Sequence, residues 1–369
     1  MTLNKCLPVS VVLLYALLLC SCGRGSGEVS AAGTVLCNEL IVYDSIGSAA
    51  DPLRMLGYTP SIIHHPHGGL LVLDNIANNL RLFLPDGEVE VLASEGSGPG
   101  CIQRASEMTV AGDQILVIDK GKRCISRFSL SGEYLNADTP VGMFEPYGVF
   151  GLANGDIVSM VLGFQMSEAD EVELFVNAGR YNDSLECSAE YYYRTWLPPY
   201  NGIYSAISTI RYCTGPDGPV FFCTDLSEYR VAILGTDGEV IGEIFRPEME
   251  RVPRSSEEIE EIRQWQQEKM GREFLFQGRN DPNPYKPLIQ LAGVDSLNRL
   301  WVWKLRDALD GNIRFDIWNE AGELVEQAEI EWPENREPVV PCVDSGGVLL
   351  RTTEEASVVR IYELVLCTP

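Results

Sequence analysis

Leu70-Leu71-Val72-Leu73-Asp74, then Leu80-Arg81-Leu82-Phe83-Leu84, Pro85-Asp86-Gly87 and Val89-Glu90-Val91-Leu92, is the stretch that decides the fold. It reads as an apolar strand, a second strand that alternates and ends in an apolar pair, a glycine turn, and a third strand. Short runs rich in branched and aromatic residues, bounded by turn residues, are strand signals. Asp-Gly supplies the backbone freedom that a tight turn between antiparallel strands needs.

The unit recurs along the chain. Ile115-Leu116-Val117-Ile118-Asp119 leads to Cys124–Phe128, Ser131-Gly132 and Glu133–Leu135. Val220–Asp225 leads to Arg230–Leu234, Asp237-Gly238 and Val240-Ile241. Leu300–Trp303 leads to Ile313–Trp318, Ala321-Gly322 and Glu323–Val325. Two weaker copies start at Asp156 and Gly347. The first strands of these six units begin near residues 70, 115, 156, 220, 300 and 347. The shorter steps match the ~40–50-residue period of propeller blades. Nearly all-apolar strands fit burial between neighbouring sheets. The spacing therefore predicts an all-β, six-bladed β-propeller over 34–369, with these runs as its inner strands. Thr34–Ile46 reads as an extra strand, expected to join the final blade and so hide sheet edges.

One loop and one strand approach carry a family resemblance. Glu95-Gly96-Ser97-Gly98-Pro99-Gly100 resembles the Gly-x-Gly-Pro-Gly loop of the bacterial six-bladed β-propeller lipoproteins common in Bacteroidetes, which are similar to NHL-repeat proteins. Tyr285-Lys286-Pro287, followed by Val294-Asp295 and Leu300-Trp301-Val302, resembles the approach to that family's fifth blade. The resemblance covers nearly all of the chain after its leader. It implies a fold and a compartment, and no reaction.

The N-terminus agrees with that compartment. Lys5 precedes the apolar run Val9–Leu19, which is shorter than the ~20 residues a permanent span needs and suits a secretory signal. Leu19-Cys20-Ser21-Cys22-Gly23 resembles a bacterial lipobox, with Cys22 the lipidated residue and Cys20 a second candidate. On that reading 1–21 is the signal peptide and 22–33 a flexible tether of small polar residues. The protein is expected in the bacterial cell envelope, anchored to the membrane by lipid. Gly23, where Asp would retain the protein at the inner membrane, resembles outer-membrane sorting.

Composition narrows the partners. The 369 residues carry 53 acidic and 28 basic side chains, a net charge of −25. Such a surface repels phosphate backbones, so nucleic acid is not an expected partner. Of 11 cysteines, Cys6 and Cys20 fall in the signal and Cys22 at its end, leaving eight. An even number in an exported chain points to disulfides. Cys37 with Cys367 would staple the closing strands, and Cys213 with Cys223 would pair across the turn at Pro216-Asp217-Gly218.

Two insertions stand out. Residues 177–209 hold Tyr181, Tyr191, Tyr192, Tyr193, Trp196, Tyr200 and Tyr204. They read as an extended outer strand with a packed loop, or as an aromatic lip for sugars or peptides. Residues 255–270 predict a helix: Ser255 and Glu258 make a capping box, and Ile259, Ile262 and Trp265 recur at helical spacing.

The chemistry-bearing residues form no complete set. His64, His65 and His67 are the three histidines, without a visible third ligand to accompany two of them on a metal. The 96–100 loop lacks the Gly-Lys-Ser/Thr end of a phosphate loop, no Gly-x-Ser-x-Gly elbow occurs, and the Glu, Asn and Asp set of gluconolactonase-type propellers has no match. No catalytic residue, metal or cofactor is assigned. Loops entering the inner strands place His64, His65, Tyr147, Arg211 and Lys286 as the candidate ligand-binding residues of the pore face. The expected role is a binding or scaffolding lipoprotein for an unknown protein, peptide or glycan. The alternatives are a metal-dependent lactonase or lyase, and a glycan or peptide receptor using the aromatic insertion 181–204.

Overall fold

Asp74, Asp119 and Asp225, each at or just beyond the end of an apolar strand, organise the turns of three sheets. Asp74 accepts the backbone N–H groups of Ile76 and Ala77 at 3.0 Å, and that of Gly57 at 2.8 Å. Asp119 accepts the N–H of Gln103 at 2.7 Å and of Lys122 at 3.0 Å. Asp225 accepts from Ser227 N at 2.9 Å. A carboxylate here satisfies donors that the turn leaves unpaired, and ties the segment approaching each sheet to the sheet itself.

The computed structural model describes residues 36–47, 50–57, 59, 61–138, 145–167, 169–197, 209–270, 282–305, 312–332, 339–352 and 360–367, without the side chains of 36–45, 145–147, 266–270 and 365–367. The proposed signal, the tether and Cys22 lie outside the described residues.

The chain is all-β, with one helix among the described residues, in a β-propeller arrangement. The first sheet holds β2 (Ser61–His64), β3 (Leu70–Asp74), β4 (Asn79–Phe83) and β5 (Val89–Ala93) in that order. The second holds β6 (Ala105–Ala111), β7 (Gln114–Asp119), β8 (Cys124–Ser129) and β9 (Tyr134–Asp138). The third holds β10 (Glu145–Gly151), β11 (Ile157–Met166), β12 (Val172–Tyr181) and β13 (Cys187–Trp196). The fourth holds β14 (Arg211–Thr214), β15 (Val220–Cys223), β16 (Arg230–Leu234) and β17 (Val240–Phe245).

The remaining strands form one closed eight-stranded sheet rather than two separate sheets. Its first group is β18 (Ile289–Val294), β19 (Leu300–Lys304), β20 (Asn312–Trp318) and β21 (Leu324–Glu331). Its second group is β22 (Val339–Asp344), β23 (Gly347–Thr352) and β24 (Ile361–Cys367), with β1 (Leu36–Ile46) pairing antiparallel to β24. Two parallel contacts weld the groups: Gly293 of β18 meets Val343 of β22, and Leu36–Glu39 of β1 runs beside Glu326–Glu329 of β21. Both ends of the described chain thus share one sheet, as the strand expected over 34–46 requires.

Side-chain alternation explains the all-apolar runs. Leu71 and Leu73 face the second sheet, whereas Leu70 and Val72 face β23 and β24. Ile115 and Val117 face the first sheet; Leu116 and Ile118 face the third. Val220 and Phe222 face the third sheet, and Phe221 and Cys223 face β18–β20. Leu300 and Val302 face the fourth sheet, while Trp301 packs with β22–β24. A strand has two faces, and here both are covered. Burying each such side chain stabilises the fold by about 1.5–3 kcal/mol.

The runs beginning near 70, 115, 156, 220, 300 and 347 are strands, but each is second in its group. The innermost position belongs to the strand before it: β2, β6, β10, β14, β18 and β22. The expectation that the apolar runs are the innermost strands is therefore corrected, while their burial between neighbouring sheets holds. Complete apolarity marks a strand enclosed on both faces, whereas a pore strand has one solvent-facing side.

The helix, α1 (Ser256–Met270), forms where the capping box predicts it. Ser255 N donates to Glu258 Oε2 at 2.8 Å, and Glu258 N donates to Ser255 Oγ at 3.2 Å. Among the described residues no helix is long and apolar enough to cross a membrane.

Candidate functional site

The six innermost strands enclose a cavity of about 770 Å³. Bulges shape its wall, because the pairing register shifts at Ser106 in β6, Gly148 in β10 and Ala292 in β18. These strands approach each other too closely for side chains at some positions. A Cβ on Gly293 would lie 1.8 Å from the Val343 carbonyl oxygen, and one on Gly151 equally close to that of Val110. Only glycine tolerates such backbone-to-backbone packing.

The strand register separates two mouths. At the beginning of the innermost strands lie Ser61, Asn75, Arg104 and Lys120. Ala105 pairs with Asp119, which sets Arg104 across from Lys120. At the opposite end lie His64, Thr214, Pro216, Asp344 and Ser345. Between them the wall is mixed, with Ile63, Phe150 and Val340 beside Glu107 and Gln290.

His64 joins the first sheet to the last. Its Nδ1 donates to Asp344 Oδ1 at 2.6 Å, and its backbone N–H donates to Asp344 Oδ2 at 2.7 Å. Glu363 Oε1 stands 3.8 Å from Nε2. Burial alone would lower the His64 pKa, but Asp344, with Glu363 behind it, overrides burial and raises it above its ordinary value. Nε2 itself is buried without a hydrogen-bond partner, so the imidazole edge that general-base chemistry would use does not open into the cavity. Gly346 makes room for the ring: a Cβ there would sit 2.1 Å from His64 Cγ.

The other residues singled out in the sequence scatter. His65 is buried; its Nδ1 accepts from His67 N at 3.2 Å, so Nε2 carries the proton and donates to the Leu130 carbonyl at 3.0 Å. With both nitrogens occupied, it ties the first sheet to the β8–β9 turn and has no lone pair for a metal. Arg211 donates to its neighbour's carbonyl, that of Ile210, at 2.7 Å and does not line the cavity. Lys286 pairs with Glu258 at 2.6 Å and fastens α1. The side chain of Tyr147 lies outside the described ones, although its backbone is part of β10. Of the four whose side chains are described, His64 lines the cavity.

The cysteine pairing across Pro216-Asp217-Gly218 is corrected. Cys213 pairs with Phe221 and Cys223 with Arg211, so the two are two residues out of register. Such diagonal neighbours lie about 7–8 Å apart, beyond ordinary disulfide reach. Both are free and buried, and burial pushes the Cys223 thiol up to about 11. Glu39, not Cys37, is the register partner of Cys367, and both of these side chains lie outside the described ones. Cys342 is also free. It is exposed to the cavity yet closely surrounded by protein, and desolvation, then Asp344, pushes its thiol up to about 11.

The aromatic insertion is mostly strand. Tyr181 closes β12, and Tyr191, Tyr192, Tyr193 and Trp196 belong to β13, the outermost strand of its sheet. Tyr192 packs 5.9 Å from Phe222 and Tyr193 stacks 6.0 Å from Phe175. None lines the cavity. The extended-strand reading describes these residues, and the lip reading does not; Tyr200 and Tyr204 lie outside the described residues. Among the described residues no group of three or more His, Cys, Asp or Glu side chains could hold a metal ion.

Arg104, Lys120, Glu107, Gln290, Cys342 and Asp344 line the cavity and were not singled out in the sequence. Gln290 sits on a strand that holds Gly293, and Cys342 and Asp344 on one that holds Pro341, residues that ordinarily argue against a strand, while Arg104 and Glu107 flank the register shift that begins β6. The usable signal was position: each of these strands lies one turn before an apolar run.

No protein-family model and no curated protein matches this sequence. Solved structures do resemble it. A candidate exported protein of Bacteroides fragilis superposes with a TM-score of 0.53 at 12% identity, covering 89% of this chain and 96% of that one. A member of the DUF4221 family from Bacteroides vulgatus gives 0.49 at 10% identity, over 90% and 99% of the two chains. Virginiamycin B lyase from Staphylococcus aureus gives 0.41 at 15% identity, over 89% of each. At these identities the likeness extends to the fold alone.

Proposed function

We propose that this chain is a six-bladed propeller of the bacterial cell envelope, lipid-anchored through Cys22, that binds a ligand in its axial cavity. The cavity of about 770 Å³ carries the reading, because strands from every sheet converge on it and its polar groups gather at two mouths. The six-blade count draws support from six apolar clusters. Five lie between consecutive four-stranded groups, and the sixth joins β23 and β24 back to the first sheet. On this view the eight-stranded sheet is two blades bridged at their edges.

Export and anchoring rest on the lipobox-like Leu19–Cys22 and the signal-like run before it. The unknown ligand is a small molecule, or a short peptide or glycan end that fits the cavity. Nucleic acid is an unfavourable partner for a chain of net charge −25. Binding without catalysis is favoured over a lactonase or lyase role, because the acid-flanked His64 keeps Nε2 out of the cavity.

Two measurements test this. Envelope metabolites equilibrated with the purified protein should include species retained by the native chain and lost from Val340→Trp, which fills the cavity. Equal retention by both would end the binding reading. Cys22→Ala should move the protein from the membrane to the soluble fraction; unchanged partition would refute the anchor.

A further inference from the structure

We infer that the ligand carries an anionic group, such as a carboxylate, held at the Arg104 mouth with its apolar body running down the channel. This rests on the cavity being the binding site.

Arg104 is exposed, lines the cavity and has no ion pair among the described residues. Other arginines differ. Arg127, Arg180, Arg230, Arg246, Arg251 and Arg299 all contact carboxylates. A net charge of −25 makes counter-ions abundant, so an arginine kept apart from them at a cavity mouth is free to bind an anion from outside.

Its backbone is also held in place. Arg104 has φ of 49°, a left-handed conformation costly for a side chain of this kind. Asn78 Oδ1 accepts its N–H at 2.8 Å, and Asp119 accepts the preceding N–H at 2.7 Å. The turn of the first sheet and the strand end of the second therefore aim one residue at the mouth they share. Asn75 adds a side-chain amide on the same rim.

The far mouth has the opposite character. Asp344 lies there beside His64, with Glu363 3.8 Å from the imidazole. An anion is repelled from those positions and attracted to Arg104, so the channel orients its ligand. Ile63 and Val340, partly exposed on the wall between the mouths, suit a short apolar segment.

The test uses the full exported chain in detergent, with hexanoate and its neutral amide, hexanamide, as probes in low-salt calorimetry. Hexanoate should bind at least about tenfold more tightly than hexanamide, and Arg104→Gln should remove that difference, as loss of a charge-assisted contact requires. Added salt should weaken hexanoate more than the amide. Equal binding of acid and amide overturns the inference, as does an unchanged hexanoate affinity in Arg104→Gln. So does an absence of hexanoate binding. Val340→Trp and Gln290→Trp, two separate plugs, distinguish the two levels. If both plugs abolish binding but charge has no effect, the cavity reading stands and the anion site falls. If the folded plugs bind hexanoate normally, both fall.

Discussion

His64 and Asp344 stand 280 residues apart in the chain and share two hydrogen bonds, one from the imidazole Nδ1 and one from the backbone N–H. One belongs to the first sheet and the other to the last group of strands, so the pair sits on the seam where the chain's beginning meets its end. Their side chains are 14% and 24% exposed, enough burial for the contact to count.

The seam should respond to pH. The folded-state pKa of His64 lies above 6.5, so its charged-pair stabilisation is complete below about that pH and fades as the pH rises through the higher folded value. His64→Gln should lower stability by about 1–3 kcal/mol at pH 6, with a smaller gap at pH 9. Urea denaturation of both proteins across that range checks it; a gap that grew with pH would contradict the assignment.

Gly293 permits β18 and β22 to touch. Its φ is 143°, and an added Cβ would lie 1.8 Å from a backbone oxygen that cannot rotate away. Gly293→Ala should cost about 3 kcal/mol, from overpacking with backbone strain. Gly98→Ala, where a Cβ meets nothing within 4 Å, serves as the control and should change stability little. Thermal unfolding of the two variants decides.

Asp316, on β20, is fully buried where that strand meets the fourth sheet. It accepts from Tyr229 Oη at 2.9 Å, Arg246 at 2.8 Å and Gln327 at 2.7 Å, and Trp318 donates in turn to Tyr229 Oη at 2.8 Å. Asp316→Ala would leave the Tyr229 phenol without its acceptor, while Arg246 keeps Glu248 at 2.6 Å. The expected loss is about 1–3 kcal/mol, read by chemical denaturation. Asp316→Asn, which keeps acceptors but not charge, should lose less.

Cys213 and Cys223 should be present as thiols and unreactive in the folded protein. Both are buried, and burial pushes the Cys223 thiol up to about 11, so little thiolate exists at pH 8. Cys187, which is exposed, should be alkylated faster than either. Differential alkylation followed by peptide mass spectrometry checks both statements; a linked Cys213–Cys223 peptide would contradict the register.

The propeller arrangement was legible because enclosed strands announce themselves. Leu70–Asp74 and Val220–Asp225 are apolar on both faces, and their aspartates and Asp-Gly turns recur at a regular step. The helix over 255–270 was legible for the same reason: Ser255 and Glu258 are local partners, three residues apart. The candidate site was much less so. His64 was singled out, but Arg104 and Asp344 were not, and Arg211 and Lys286 proved to serve packing and the helix.

By itself, then, the order of residues determined which apolar segments become enclosed strands, where they turn and that the two ends meet, because each follows from neighbours within a few positions or from a repeated pattern. Tertiary structure alone decided which strand of each group faces the channel, that His64 meets Asp344, and that Arg104 is left without a counter-charge. Those outcomes depend on how closely separate sheets approach, a distance that glycines such as Gly293 and Gly346 set only once both partners are in place.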